Sequence, residues 1–114
     1  MALEFYVLDN GNYQAKYEHN MGNYNGSNSI STKMMLWNNR YGEDSAPTIN
    51  EPMLYFYHKN VEDNNLLNFY SVKVDGDFVD FNIQNNKGVL ALKRNLLGAP
   101  NNGDESNTKN FVKI

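Results

Sequence analysis

The sequence predicts an all-β domain, an antiparallel β-sandwich of about seven strands with one short helical turn. Three observations carry this. Apolar and polar residues alternate with period two in segment after segment. Clusters of Asn, Gly, Asp and Pro punctuate those segments, as turns require. No stretch has the apolar stripe of a long amphipathic helix. At 114 residues the chain reads as one domain, residues 1–114. A domain of this size buries roughly two thirds of the surface its unfolded chain exposes, enough for one modest core.

The elements follow in order. Leu3, Phe5 and Val7 alternate with Glu4 and Tyr6 in a first strand. Residues 9–29 are polar, rich in Asn, Gly and Tyr, so residues 1–29 read as a partly extended N-terminal arm and polar loop. SISTKMMLW (residues 29–37) sets Ile30, Thr32, Met34 and Leu36 on one face, and Ser31, Lys33, Met35 and Trp37 on the other. A long loop with two prolines, residues 38–52, leads to MLYFYHK, where Leu54 and Phe56 oppose Tyr55 and Tyr57. NVEDNNLLNF lacks strand alternation and reads as a short helix or 3₁₀ turn, with Asn60 placed to cap it. In YSVKVDGDFVDFNI, Asp75-Gly76 suits the left-handed backbone of a tight hairpin turn between two alternating runs. The turn at residues 85–88 precedes VLALKR, whose Leu90 and Leu92 point inward, and FVKI is the last strand. The pattern is that of an immunoglobulin-like sandwich, with Trp37 as its core tryptophan and a small barrel as the alternative.

Composition narrows function. Fifteen aromatics (eight Tyr, six Phe, one Trp) favour sheet over helix. Asparagine is the largest bias, with 21 residues; it populates turns, and coding bias is the simplest source of the excess. The net charge is −3, and only Lys93-Arg94 place two basic residues side by side, so no basic stripe faces a row of phosphates and nucleic acid is not an expected partner. Without cysteine there is neither disulfide nor thiolate metal site. MALEFYVLD has no basic n-region and carries Glu4, which reads as neither signal peptide nor membrane span.

Catalytic and cofactor signatures are missing from the sequence. GAPNNGDESNTKN (residues 98–110) has two carboxylates at the wrong spacing for a calcium loop and reads as a hydrated connector to the final strand. His19 and His58 stand alone, with no HxH or HExxH spacing. No GxSxG elbow presents a serine, and no glycine loop cradles phosphate. Asp75, Asp77 and Asp80 crowd one hairpin and read as a solvated turn rather than a glycosidase pair. The expectation is a protein that is not an enzyme, with no cofactor and no metal.

Tyrosine is more informative. Tyr13, Tyr17 and Tyr24 lie among Asn, Ser and Gly, the mixture that adaptable binding loops use. They are open to three readings: cover for a strand or sandwich end, a protein contact, or a glycan contact. With Arg40 and Tyr41 of the long loop they form the candidate partner-binding set.

LWNNRYGED, MLYFYHKNVEDNNLLNFYSVKVDG and NLLGAPNNGDESNTKNFVKI together resemble small immunoglobulin-like domains in virion proteins of tailed bacteriophages of low-GC Gram-positive hosts. The resemblance runs from Leu36 onward and is one of pattern and composition; no functional residue carries over. It implies a virion structural protein, made in the host cytoplasm, that docks in many copies on capsid, tail or fibre proteins. No membrane partner is expected. Two alternatives are a carbohydrate-binding module that reads a host-surface glycan and a small phage inhibitor of a host protein.

Overall fold

The computed structural model describes residues 3–16, 18–21 and 30–114. Among them are nine strands and one 3₁₀ helix: β1 (Leu3–Asp9), β2 (Asn12–Ala15), β3 (Met34–Asn38), β4 (Met53–Phe56), the 3₁₀ helix (Val61–Phe69), β5 (Val72–Val74), β6 (Asp77–Val79), β7 (Asn82–Gln84), β8 (Lys87–Ala91) and β9 (Phe111–Lys113). All pairings are antiparallel. They make a four-stranded sheet, β2-β1-β3-β9, a three-stranded sheet, β4-β8-β7, and the β5-β6 hairpin. The all-β, sandwich-like expectation holds.

Three hairpins close through the same backbone device. Asn10-Gly11, Asp75-Gly76 and Asn85-Asn86 each have positive φ at both positions, between 50° and 92°. Two consecutive left-handed residues give the turn whose twist matches the flanking strands, and Asn, Asp and Gly tolerate it best. The resulting registers are Asp9↔Asn12, Val74↔Asp77 and Gln84↔Lys87. Asp75-Gly76 was foreseen. Asn10-Gly11 shows that residues 3–15 are no arm: they fold into a hairpin, and β1 is an interior strand of the larger sheet.

The extra strands have simple origins. β2 arises from the Asn10-Gly11 turn, inside the stretch read as polar loop. DFVDFNI divides because β6 pairs with β5 whereas β7 pairs with β8, and Phe81 at the break turns edge-on to Phe56, ring centres 5.0 Å apart. The 3₁₀ helix lies where expected, but Asn60 does not cap it with its side chain. The Asn60 carbonyl instead accepts the Asp63 N–H at 3.0 Å.

The core lies on both faces of the four-stranded sheet. On one face Leu36 and Val112 pack with Leu92 and Leu96, and Leu3, Phe5, Ile49, Leu54 and Val74 join them at the edges. This is the contact with the second sheet and the β5-β6 hairpin. On the opposite face Tyr6, Met35, Trp37 and Phe111 cluster, with Tyr13 against them. Trp37 is fully buried, as a core tryptophan should be, yet it points away from the second sheet. Period-two geometry dictates this, because Leu36 takes the inter-sheet side. Trp37 stacks instead on its cross-strand neighbour Phe111, with centroids 4.3 Å apart and planes at 21°.

Candidate functional site

The expected partner-binding residues separate into three groups. Tyr13 on β2 is half-buried against the aromatic cluster, so it serves packing. Tyr17 and Tyr24 lie outside the described residues. Arg40 and Tyr41 come together with Tyr6 and Trp37 at one end of the four-stranded sheet.

The Arg40 guanidinium sits over three rings, with its carbon 4.3 Å from the centre of Tyr6, 5.0 Å from Tyr41 and 5.5 Å from Trp37. Ring quadrupoles attract a cation on their faces, by about 0.5–2 kcal/mol per contact depending on desolvation. Among the described residues Arg40 forms no ion pair, and its buried Nε has no hydrogen-bond partner. The rings therefore hold the side chain. Tyr6 is fixed in turn: its hydroxyl donates to the Glu4 carboxylate at 3.0 Å. Burial first, and this hydrogen bond second, push its pKa up to about 12.

Tyr41 is 62% exposed. Its ring nonetheless meets Tyr6 edge-on at 6.4 Å and 77°. On another side it covers Gly103, where a Cβ would come within 2.7 Å of the ring and where φ is +86°. Beside it lies a shallow depression of about 510 Å³ lined by Tyr41, Gly42, Glu43, Pro100, Asn101 and Asn102.

What holds this end together is asparagine. Asn38, fully buried, donates its side-chain amide to the carbonyls of Pro47 at 2.9 Å and Leu96 at 3.0 Å. Asn39, in left-handed backbone, donates to Asp44 at 2.8 Å and Gly98 at 2.9 Å. Asn101 donates to Asn39 at 3.0 Å, and Asn110 to Ala99 at 2.8 Å. Backbone bonds complete the seam: Ala46 N–H to Gly98, Asn38 N–H to Asn110 and Gly103 N–H to Arg40, each at 2.8 Å. Buried backbone groups without a strand partner need such donors. Although residues 102 and 104–106 stay exposed, residues 98–110 are thus more than a hydrated connector. They are stitched to residues 38–47, and the two loops form one platform that carries Tyr41.

The second departure is Asp75. Its carboxylate accepts the Lys113 backbone N–H at 3.1 Å and Arg94 Nε at 3.2 Å. Arg94 also donates to the Phe111 carbonyl. The β5-β6 turn is therefore clasped to β9, while Asp75, Asp77 and Asp80 all stay exposed to solvent as read.

Sequence reasoning missed the exposed residues Met53 and Tyr55 on one side of β4 and Tyr57 just beyond it, each half or more exposed, and Phe69 and Phe78, each over 70% exposed. Alternation set Tyr55 and Tyr57 opposite Leu54 and Phe56, and that was the available signal. Among the described residues no three His, Asp or Glu side chains converge as a metal site, and no helix is long and apolar enough to cross a membrane. Comparison with known proteins finds no matching family, no matching curated protein and no matching solved structure.

Proposed function

We propose that the chain is a non-catalytic structural protein of a tailed-bacteriophage particle, an immunoglobulin-like module that docks on capsid, tail or fibre subunits through its Arg40–Tyr41 platform. The observation that carries the docking part is the state of Tyr41. It is exposed to solvent, yet Tyr6, Arg40 and Gly103 hold its ring in place. A partner meeting such a ring finds little side-chain entropy left to lose. Tyrosine and arginine are also the residues that most often anchor interfaces. The stitched loops beneath make the platform rigid, which favours recognition by a preformed surface.

The particle part rests on the resemblance of the segments from Leu36 onward to immunoglobulin-like virion domains. Many copies on a symmetric surface turn individually weak contacts into firm attachment. The test is incorporation into purified particles. The chain is expected in particle density with Tyr41 against a neighbouring subunit, and Tyr41→Ala is expected to reduce incorporation while leaving the isolated fold unchanged. Absence of the chain from purified particles, with one host protein recovered at stoichiometric yield instead, overturns the reading in favour of an inhibitor of that protein.

A further inference from the structure

A second concave surface lies at the open end of the β5-β6 hairpin, away from the Arg40–Tyr41 platform. There Val72 pairs with Val79, so the residues just before β5 and just after β6 converge. Tyr70, Ser71, Val72, Phe78, Val79, Asp80 and Phe81 line a depression of about 410 Å³. Two of its aromatic walls are fixed from behind. Tyr70 stacks on Phe56 at 5.8 Å and 14°, and its hydroxyl is 2.9 Å from His58 Nε2. Phe81 packs edge-on against the same Phe56. Phe56 itself lies over Gly88, where a Cβ would come within 2.2 Å of the ring.

The rim differs from the walls. Phe78 is 72% exposed, a large apolar surface that the fold does not need. Lys73 Nζ lies 4.7 Å from the centre of its ring. Among the described residues Asp80 forms no ion pair, and the Ser71 hydroxyl makes no hydrogen bond. The depression thus combines two anchored aromatic side chains and one exposed ring with an unused acceptor and an unused hydroxyl.

We propose that this depression is a binding subsite for a neutral saccharide ring. Three features select that class. A pyranose has one apolar face of C–H groups, and partially positive hydrogens favour the electron-rich face of an aromatic ring. Its hydroxyls would find an acceptor in Asp80 and a donor and acceptor in Ser71. The surface is open to solvent, so it cannot desolvate a wholly apolar ligand but suits one whose other face stays wet. The rim carries one carboxylate, Asp80, and one ammonium, Lys73, so it has no net charge with which to select an ionised sugar. The site is independent of the docking platform, and neither reading depends on the other.

The experiment is an NMR titration of the full chain with glucose, galactose and N-acetylglucosamine, their β-linked oligomers, and N-acetylneuraminic acid. At least one neutral sugar is expected to shift backbone resonances confined to residues 70–72 and 78–81, and N-acetylneuraminic acid to bind no more tightly than that sugar. Phe78→Ala, at a site too exposed to matter for folding, is expected to weaken binding by roughly tenfold, the loss typical of removing one stacking ring. Asp80→Asn is expected to weaken the neutral sugar less. Absence of any shift with the neutral sugars and oligomers overturns the proposal. So does binding that survives Phe78→Ala unchanged, or shifts centred on Tyr41.

Discussion

The two faces of the four-stranded sheet bury side chains equally well by different means. Leu36 and Trp37 are neighbours on β3, and both are essentially inaccessible to solvent. Leu36 looks into an aliphatic layer of Leu92, Leu96 and Val112, where any well-shaped hydrocarbon would serve. Trp37 looks into an aromatic layer of Tyr6, Met35 and Phe111 that ends in the Arg40 guanidinium. That layer depends on ring geometry and on a cation. The first face builds the domain, and the second also presents Tyr41. One side of a sheet can therefore be core and scaffold for a surface at once.

The sharpest way to break this comparison is to truncate each neighbour. Trp37→Ala is expected to cost about 3–5 kcal/mol and Leu36→Ala about 2–5 kcal/mol, read by chemical denaturation. Either is a large part of the roughly 5–15 kcal/mol that holds a domain folded. Only Trp37→Ala should also release the Arg40 side chain, seen as a change in its Nε–H resonance. An unchanged Arg40 signal would separate the aromatic layer from the platform.

Next in size is the asparagine seam. Asn38→Ala removes the amide donor to the Pro47 carbonyl and the second donor to the Leu96 carbonyl, which keeps the Ile49 N–H, and about 1–2 kcal/mol is expected to be lost. A loss below about 0.5 kcal/mol would mean the seam is decorative. Gly98→Ala tests the same contact by sterics. A Cβ there would lie 2.1 Å from the Ala46 carbonyl oxygen, so the two loops must part, at about 1–3 kcal/mol.

Alkaline titration sharpens the picture of Tyr6. Its folded pKa of about 12 lies above the ordinary value of 10.0, so folding favours the neutral phenol. The associated stability is complete below pH 10.0 and is lost as pH rises from there through about 12. Tyr6→Phe is expected to flatten that decline in thermal melts across the same window. A decline of equal slope in the variant would assign it to other groups.

The smallest effect on stability is expected at Tyr41. Tyr41→Ala should cost no more than about 1 kcal/mol in denaturation, because the ring is mostly exposed and loses one exposed cation–ring contact. A loss comparable to that of Trp37→Ala would make Tyr41 a packing residue and remove it as a docking anchor.

Much of the fold was legible because period-two patterning is local. Leu90 and Leu92 lie inward as read, and exposed Tyr55 and Tyr57 stand opposite half-buried Leu54, as the alternation set them. The Asp75-Gly76 turn was readable for the same reason. Asn10-Gly11 carried an equal signal, hidden by its polar surroundings. The facing of Trp37 was not legible, since alternation separates two faces without saying which one meets the other sheet. Nor was the platform. Asn38, Asn39 and Asn110 look like the other asparagines in a sequence rich in them. What distinguishes them is contact across 58 to 72 residues of chain, which no local pattern encodes.

The central claim is that the loops at residues 38–47 and 98–110 form one stitched platform. Hydrogen exchange resolved by NMR measures it most directly. The side-chain amides of Asn38, Asn39 and Asn110, and the backbone amides of Ala46 and Gly103, are expected to exchange as slowly as those of β3. Exchange at the rate of an unstructured chain at these positions, with β3 still protected, would contradict it.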